Sequence, residues 1–151
     1  MTLTRFWILA LLAITAGMCI PTQAGINAQL STWTRTPVLA ATISFAVGTV
    51  VLILYCVITR QPLPDWPSAA AQPWWVWSGG ALGAFFVATT IYLAPRIGAT
   101  SMLAWLLAGQ MVASLVLDHF GWLGFPNQAI SWQRILGVAL LAAGALLIRA
   151  R

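Results

Sequence analysis

The chain has 151 residues, of which 61% are hydrophobic and only 6% are charged, and its formal net charge is +5. A soluble domain carries roughly 25% charged residues, so this composition excludes a water-facing surface and predicts one membrane-embedded domain over residues 1–151. The composition also argues against nucleic acid as a partner. Every basic residue is an Arg, these Arg are scattered among loops and termini, and a nucleic-acid interface needs a basic patch.

Five apolar segments of about 20 residues each predict five transmembrane helices. Their apolar runs are continuous, whereas barrel strands alternate in polarity, and a helix pairs its backbone groups within the segment. We therefore predict an all-α integral membrane protein with helices at about residues 6–30, 37–59, 73–94, 99–117 and 132–148.

The connecting segments are rich in helix-breaking residues. Three prolines in residues 60–68 predict a non-helical connector. Pro95–Gly98 predicts a tight turn, and the glycines and proline of residues 119–130 predict a loop. The N-terminus has features of a secretory signal, but the spanning segments that follow it favour a first transmembrane helix.

The first helix carries the strongest polar pattern. Thr15, Cys19, Gln23 and Asn27 recur every four residues, so they lie near one helix face. Pro21 lies among them and releases a backbone carbonyl one turn earlier. A kinked helix with amide side chains is typical of a cavity lining. The alternative is that the amides join neighbouring helices by hydrogen bonds.

The fourth helix repeats this pattern with Gln110, Ser114 and Asp118, again four residues apart. Trp105 lies well inside this helix, whereas the other tryptophans lie in loops or near helix ends, as expected for residues at a membrane interface. Asp118 and the neighbouring His119 invite a catalytic interpretation, but no matching nucleophile is present. We expect Asp118 to form an ion pair near the interface with Arg96 or Arg134.

The remaining patterns point to packing rather than chemistry. Gly79 and Gly83 form a GxxxG pattern for close helix approach in the third helix. The fifth helix has Gly137 and Gly144 on one face and almost no polar residue, which favours contact with lipid or a partner chain. Cysteine and histidine residues lack metal-ligand spacing, so we predict no metal, no cofactor and no enzymatic activity.

Arginine is almost evenly divided between the two sides that five spans define. One side carries Arg5, Arg60 and Arg134, and the other carries Arg35, Arg96, Arg149 and Arg151. Orientation by positive charge needs an asymmetry. The near balance favours insertion in both orientations, which permits an antiparallel pair of chains.

An ordered set of short motifs resembles the YdcZ-like family of the drug/metabolite transporter superfamily. The motifs span nearly the whole chain and are Pro21–Leu30, Ser44–Gly48, Gly79–Gly83, Ala94–Ala99, Gly109–Gln110, Asp118–Gly121 and Arg134–Gly137. The resemblance implies a five-helix half of an inverted-repeat transporter in the bacterial inner membrane. It also implies antiparallel pairing with a second copy or a homologous chain. Smaller relatives export cations through a glutamate in the first helix, and here Gln23 and Asn27 favour a neutral, zwitterionic or anionic solute.

We therefore predict a secondary transporter of a small solute with a midplane cavity. The predicted solute-binding residues are Gln23, Asn27, Trp105, Gln110, Thr22, Ser114 and Tyr92. The predicted structural or hinge residues are Gly17, Pro21, Gly25, Gly79, Gly83, Pro95 and Asp118. The alternatives are a non-transporting assembly subunit, whose polar faces are occupied by interhelical bonds, and a dimeric channel.

Overall fold

A computed structural model describes residues 3–69 and 71–149, and within these residues it contains helices and no strand. The α-helices are α1 (Leu3–Thr34), α2 (Pro37–Ile58), α3 (Trp66–Ala69), α4 (Ser78–Ile97), α5 (Ala99–Phe120) and α6 (Trp132–Arg149). Two 3₁₀ turns lie at Trp74–Trp77 and Trp122–Gly124. The helices form two compact units, one ending at Pro95 and one beginning at Arg96.

Four helical segments are long and apolar enough to cross a membrane: Leu3–Thr34, Pro37–Ile58, Trp74–Ile97 and Ala99–Phe120. The all-helical, membrane-spanning class predicted from the sequence is thereby confirmed. Helix α6 has 18 residues and is about 27 Å long, slightly less than the roughly 30 Å of a hydrocarbon core. A fifth crossing by α6 stays a prediction.

Helix α1 is longer than predicted at both ends and has 32 residues. Its C-terminal turns contain hydroxyl residues that donate to carbonyls of the same helix, as Ser31 does to Ala28 and Thr32 does to Gln29, both at 2.7 Å. The helix ends at Thr34, after which Arg35 has a positive φ of 65° and Pro37 restricts Thr36 to an extended conformation. Thr36 then caps α2, since its hydroxyl accepts the Leu39 N–H at 3.1 Å.

The predicted turn at Pro95–Gly98 is wrong in its first three residues. Helix α4 continues through Pro95 to Ile97, because a proline removes only one helical hydrogen bond and this one lies in the last turn. The chain changes direction at Gly98, which has φ 79° and ψ 154°. Only glycine adopts this region readily.

Helix α4 begins at Ser78 rather than at about residue 73, since residues Trp74–Trp77 form a 3₁₀ turn. Two further differences from the prediction have local causes. Helix α5 extends three residues further, to Phe120, where Gly121 in the left-handed conformation caps it. The proline-rich connector contains the single helical turn α3, because Pro67 lies in its first turn, where no intrahelical partner for an N–H is needed.

The core of the first unit joins α2 to α4. Ala40 and Ala41 of α2 pack against Val87 and Ile91 of α4, and all four are buried. The small side chains of the two adjacent alanines leave room for the larger Val87 and Ile91 side chains. Leu30 of α1 packs against the same cluster, so this contact fixes the C-terminal half of α1.

The second unit is a hairpin of α5 and α6. Its buried side chains are Met102 and Ala108 of α5 and Ala145 of α6. Met102 is fully buried, whereas the outward faces of both helices expose large apolar residues. Such an exposed apolar surface is the expected one for helices that face lipid.

Replacing Gly98 by Ala should destabilise the protein. An alanine at φ 79° and ψ 154° is strained by about 1–3 kcal/mol. Gly80→Ala is the matched control, since Gly80 lies inside α4 and an added Cβ there meets no atom within 4 Å. Thermal unfolding in detergent should show a lower midpoint for Gly98→Ala alone. Equal midpoints for the two variants would contradict the assigned backbone conformation.

Candidate functional site

A groove between α1 and α2 contains all four residues of the polar face predicted on the first helix. Its volume is about 600 Å³, which lies within the roughly 300–1,000 Å³ of small-molecule sites. We call it the α1–α2 groove. Its lining residues are Thr15, Met18, Cys19, Thr22, Gln23, Ile26, Asn27, Leu30, Ile43, Ser44 and Val47.

The small polar side chains of this groove bond to their own helix. Thr15 donates its hydroxyl hydrogen to the Leu11 carbonyl at 2.9 Å, and Thr22 donates to the Met18 carbonyl at 3.0 Å. The Cys19 thiol lies 3.5 Å from the Thr15 carbonyl. These groups can still accept hydrogen bonds, but their donors are already used.

Gln23 differs from its neighbours. Its side chain is exposed, and it makes no hydrogen bond to any residue that the structure describes. It also borders a second groove of about 220 Å³, formed with Ser44, Gly48 and other α2 residues. An amide at membrane depth needs a hydrogen-bonding partner. Gln23 is therefore the group best placed to meet a solute or water.

Asn27 joins α1 to α2. It is only 4% exposed, and its Nδ2 donates to the Ser44 hydroxyl at 3.1 Å. This bond is of the interhelical kind that membrane proteins use to hold helices together. The two interpretations of the polar face thus apply to different residues: Asn27 packs, whereas Gln23 is available.

A double-mutant cycle on Asn27→Ala and Ser44→Ala should give a coupling free energy of about 0.6 kcal/mol, the average for hydrogen bonds between membrane helices. The measurement is unfolding by SDS titration in detergent micelles. Pairing Ser44→Ala with Thr32→Ala is the control, since Thr32 bonds within its own helix and should be additive. A zero coupling for Asn27 and Ser44 would show that their bond contributes nothing.

A separate groove of about 390 Å³ lies between α5 and α6, and we call it the α5–α6 groove. One end carries an ion pair, in which Arg134 Nη2 lies 2.7 Å from Asp118 Oδ2. The two side chains are 31% and 22% exposed. The other lining residues are Met111, Ser114, Leu115, Gly137, Val138 and Leu141.

The ion pair also fixes the loop that joins the two helices. Arg134 donates to Gln128 Oε1 at 2.9 Å, and the Gln128 N–H donates to the Asp118 carbonyl at 2.8 Å. Of the two arginines expected to pair with Asp118, the structure selects Arg134. His119 Nδ1 accepts the Ile130 N–H at 3.4 Å, so the histidine faces the same loop.

The predicted solute-binding residues fall into separate places. Thr22, Gln23 and Asn27 share the α1–α2 groove, and Ser114 lines the α5–α6 groove. Trp105 and Gln110 are exposed on α5 and are absent from the described lining of that groove. Tyr92 is exposed on α4 in the first unit. Solute contact by all seven predicted residues stays a prediction.

The predicted packing glycines and prolines also differ from one another. A Cβ added at Gly83 would lie 3.5 Å from the Phe45 ring, whereas at Gly79 it would meet no described atom within 4 Å. Gly83 therefore faces the tip of a side chain of α2, and the close helix approach expected from the GxxxG pattern stays a prediction. Gly17 and Gly25 are likewise open, and α1 is continuous through Pro21.

Two residues of these sites, and one buried residue of α4, were not assigned by sequence reasoning. Ser44 completes the bond to Asn27, and its signal was its spacing of four residues from Gly48, which places two small residues on one face of α2. Gln128 closes the loop onto Arg134. Thr90 is buried and donates to the Val87 carbonyl at 2.8 Å, and nothing in the sequence pattern singled it out.

Among residues 3–69 and 71–149, no group of three or more His, Cys, Asp or Glu side chains could hold a metal ion. Cys19 and Cys56 are free and exposed. The α1–α2 groove has uncharged hydrogen-bonding groups on apolar walls. The α5–α6 groove has one ion pair at its end.

Comparison with known proteins places the chain in a family. Residues 8–147 match the family model described as "Putative inner membrane exporter, YdcZ". The inner membrane protein YdcZ of Escherichia coli (strain K12) is 30% identical over 139 residues, which cover 91% of this chain and 92% of that protein. No solved structure matches the chain.

These matches agree with the membrane-capable helices, so the protein is a multi-pass inner-membrane protein of the transporter class. The matched region includes both grooves described above. The chain belongs to the YdcZ family of the drug/metabolite transporter superfamily.

Proposed function

We propose that the protein is a secondary transporter that moves a small solute across the inner membrane, with the α1–α2 groove as its solute contact. The observation that carries this proposal is Gln23, an amide without a described partner in a groove of about 600 Å³. Retaining such a group inside an apolar helix is costly unless something bonds to it. A transported solute would supply that hydrogen bond.

The groove lining supports a solute without net charge. None of its eleven lining residues is an Asp, Glu, Lys, Arg or His. Placing an unpaired ion in such surroundings is strongly unfavourable. Apolar walls from Met18, Ile26 and Val47 suit an apolar body, and Gln23 suits a hydroxyl, amide or carbonyl group. Within the range expected from the sequence, this favours the neutral class.

We further propose that two chains act together in antiparallel orientation. The near balance of arginines supports insertion both ways. In the single chain, residues 45–58 of α2 are all exposed, so lipid or a second chain must cover them. Two oppositely oriented five-helix chains would supply the inverted symmetry on which alternating access depends.

A second candidate is an assembly subunit that transports nothing. The Asn27–Ser44 bond favours it, because that bond uses a polar group predicted for solute contact to join helices instead. This candidate requires Gln23 to find its partner in another chain. Because an assembly subunit transports nothing, this candidate also predicts no solute flux through the purified protein.

Transport by the purified protein tests the proposal. Proteoliposomes containing the full chain would be assayed with radiolabelled neutral solutes, such as alcohols, amides and sugars, against protein-free vesicles. We expect saturable flux of at least one solute. Flux that never saturates would indicate a channel, and absence of flux across the panel would favour the assembly subunit.

Orientation has a separate test. Reporter domains fused to the C-terminus, one active in the cytoplasm and one active in the periplasm, should both be active in the same strain. Activity on one side only would contradict dual insertion of this chain. That outcome would require a differently oriented homologous partner.

A further inference from the structure

The α5–α6 groove has one charged end and one apolar end. Asp118 and Arg134 lie at the ends of their helices next to the connecting loop. From there the groove extends seven residues along each helix, to Met111 and Leu141. Seven helical residues span about 10 Å. The groove therefore runs two turns into the apolar part of the hairpin.

The charged end lies at the level of a membrane–water interface. Trp122 and Trp132 flank the loop and are exposed, and tryptophan concentrates at that level. The carboxylate and guanidinium are both partly exposed, so a headgroup can approach them from the interface. The pair carries no net charge, but it presents an anion and a cation 2.7 Å apart.

We propose that the α5–α6 groove binds a phospholipid with a zwitterionic headgroup that bears a primary ammonium. Its ammonium would bond to the Asp118 carboxylate, its phosphate would bond to the Arg134 guanidinium, and the upper part of one acyl chain would lie along Leu115, Val138 and Leu141. A carboxylate accepts several hydrogen bonds and a guanidinium has five donors, so the ion pair leaves both groups able to bond further. Charge complementarity thus selects the headgroup, and the apolar walls select the chain.

The groove is open because of a glycine. Gly137 lines it, and a Cβ added there meets no atom within 4 Å. A leucine at this position would fill the groove without disturbing the ion pair. Gly144 provides a matched control on the same helix, since it is equally open but lines a different groove of about 270 Å³ that has no charged residue.

Native mass spectrometry of the detergent-purified full chain tests the proposal, because it counts bound lipids and subunits together. The probes are phosphatidylethanolamine, phosphatidylcholine and phosphatidylglycerol with identical acyl chains. We expect phosphatidylethanolamine to bind about tenfold more tightly than the others, the ratio for one charge-assisted hydrogen bond. Gly137→Leu should remove this preference, and Gly144→Leu should keep it.

Asp118→Asn removes the negative charge at the end of the groove while keeping nearly the same side-chain shape. It should bring phosphatidylethanolamine and phosphatidylcholine to similar affinities, because the ammonium loses its ionic partner. Equal binding of all three lipids to the unmodified protein would overturn the proposal. Unchanged lipid binding in Gly137→Leu would also overturn the proposal. If that variant also lost a subunit, the occupant of the groove would be a second copy of the chain instead. Binding of free phosphoethanolamine as tightly as the lipid would indicate a soluble ligand.

Discussion

Gln23→Leu is expected to reduce solute flux about fivefold or more while leaving the protein folded. Leucine has nearly the same volume as glutamine but lacks the amide. A site built to bond a polar group loses about 1 kcal/mol or more when that bond disappears, and 1.4 kcal/mol is tenfold in affinity. Because Gln23 makes no hydrogen bond to any described residue, removing its amide breaks no hydrogen bond within the described chain.

The matched control is Gln29→Leu. Gln29 is exposed on the same helix six residues later, and it lines neither of the two grooves next to Gln23. Flux of a solute identified in proteoliposomes should be unchanged in this variant. Gln23→Asn keeps the amide on a shorter side chain and should give intermediate flux. Identical flux in Gln23→Leu and the unmodified protein would remove Gln23 from the solute site.

Binding measurements separate this prediction from a folding defect. Calorimetry with the same solute should show a raised Kd for Gln23→Leu, whereas its unfolding midpoint in SDS should match that of Gln29→Leu. A lowered midpoint with an unchanged Kd would instead assign Gln23 to a contact between chains, as the assembly-subunit alternative requires.

The helices could be predicted because their signal is the length of apolar runs, which the bilayer imposes directly. Their ends could not, because they depend on backbone details. The end of α5 was set by Gly121 in the left-handed conformation, although a glycine after a helix is a recognisable signal. The end of α4 lies beyond Pro95 because the last helical turn tolerates a proline, and the chain turns only at Gly98.

The candidate site was only partly predictable for a different reason. Periodicity placed Thr15, Cys19, Gln23 and Asn27 on one face, and all four line the α1–α2 groove. Periodicity within α1 cannot say which of them meets a partner on α2. That depends on the alignment of Asn27 with Ser44, which follows from the length of the turn between the two helices and from packing on Ala40 and Ala41.

The partner of Asp118 was similarly open from sequence. Arg96 and Arg134 both lie near the ends of predicted helices, and their equal charge does not indicate which of them pairs with Asp118. The loop decides, because Gln128 bonds to the Asp118 backbone and to the Arg134 side chain at once. A loop of this length had no pattern from which that bond could be inferred.

Ile91→Ala is expected to lower the free energy of unfolding by about 2 kcal/mol, the lower end of the range for such truncations. Ile91 is 1% exposed and packs against Ala40 and Ala41, which are too small to close the gap. In a soluble protein part of the cost is the transfer of apolar groups from water. In micelles the unfolded chain is also in apolar surroundings, so the cost comes mainly from lost packing contacts.

Leu82→Ala on the same helix is the control for this truncation. Leu82 is 68% exposed and faces detergent or lipid, so its truncation should change the unfolding free energy by less than about 0.5 kcal/mol. Ile91→Val should fall between the two, since it removes one methylene. SDS titration followed by circular dichroism provides the measurement. Equal losses for Ile91→Ala and Leu82→Ala would contradict the α2–α4 core, because a side chain that packs on nothing cannot leave a cavity behind.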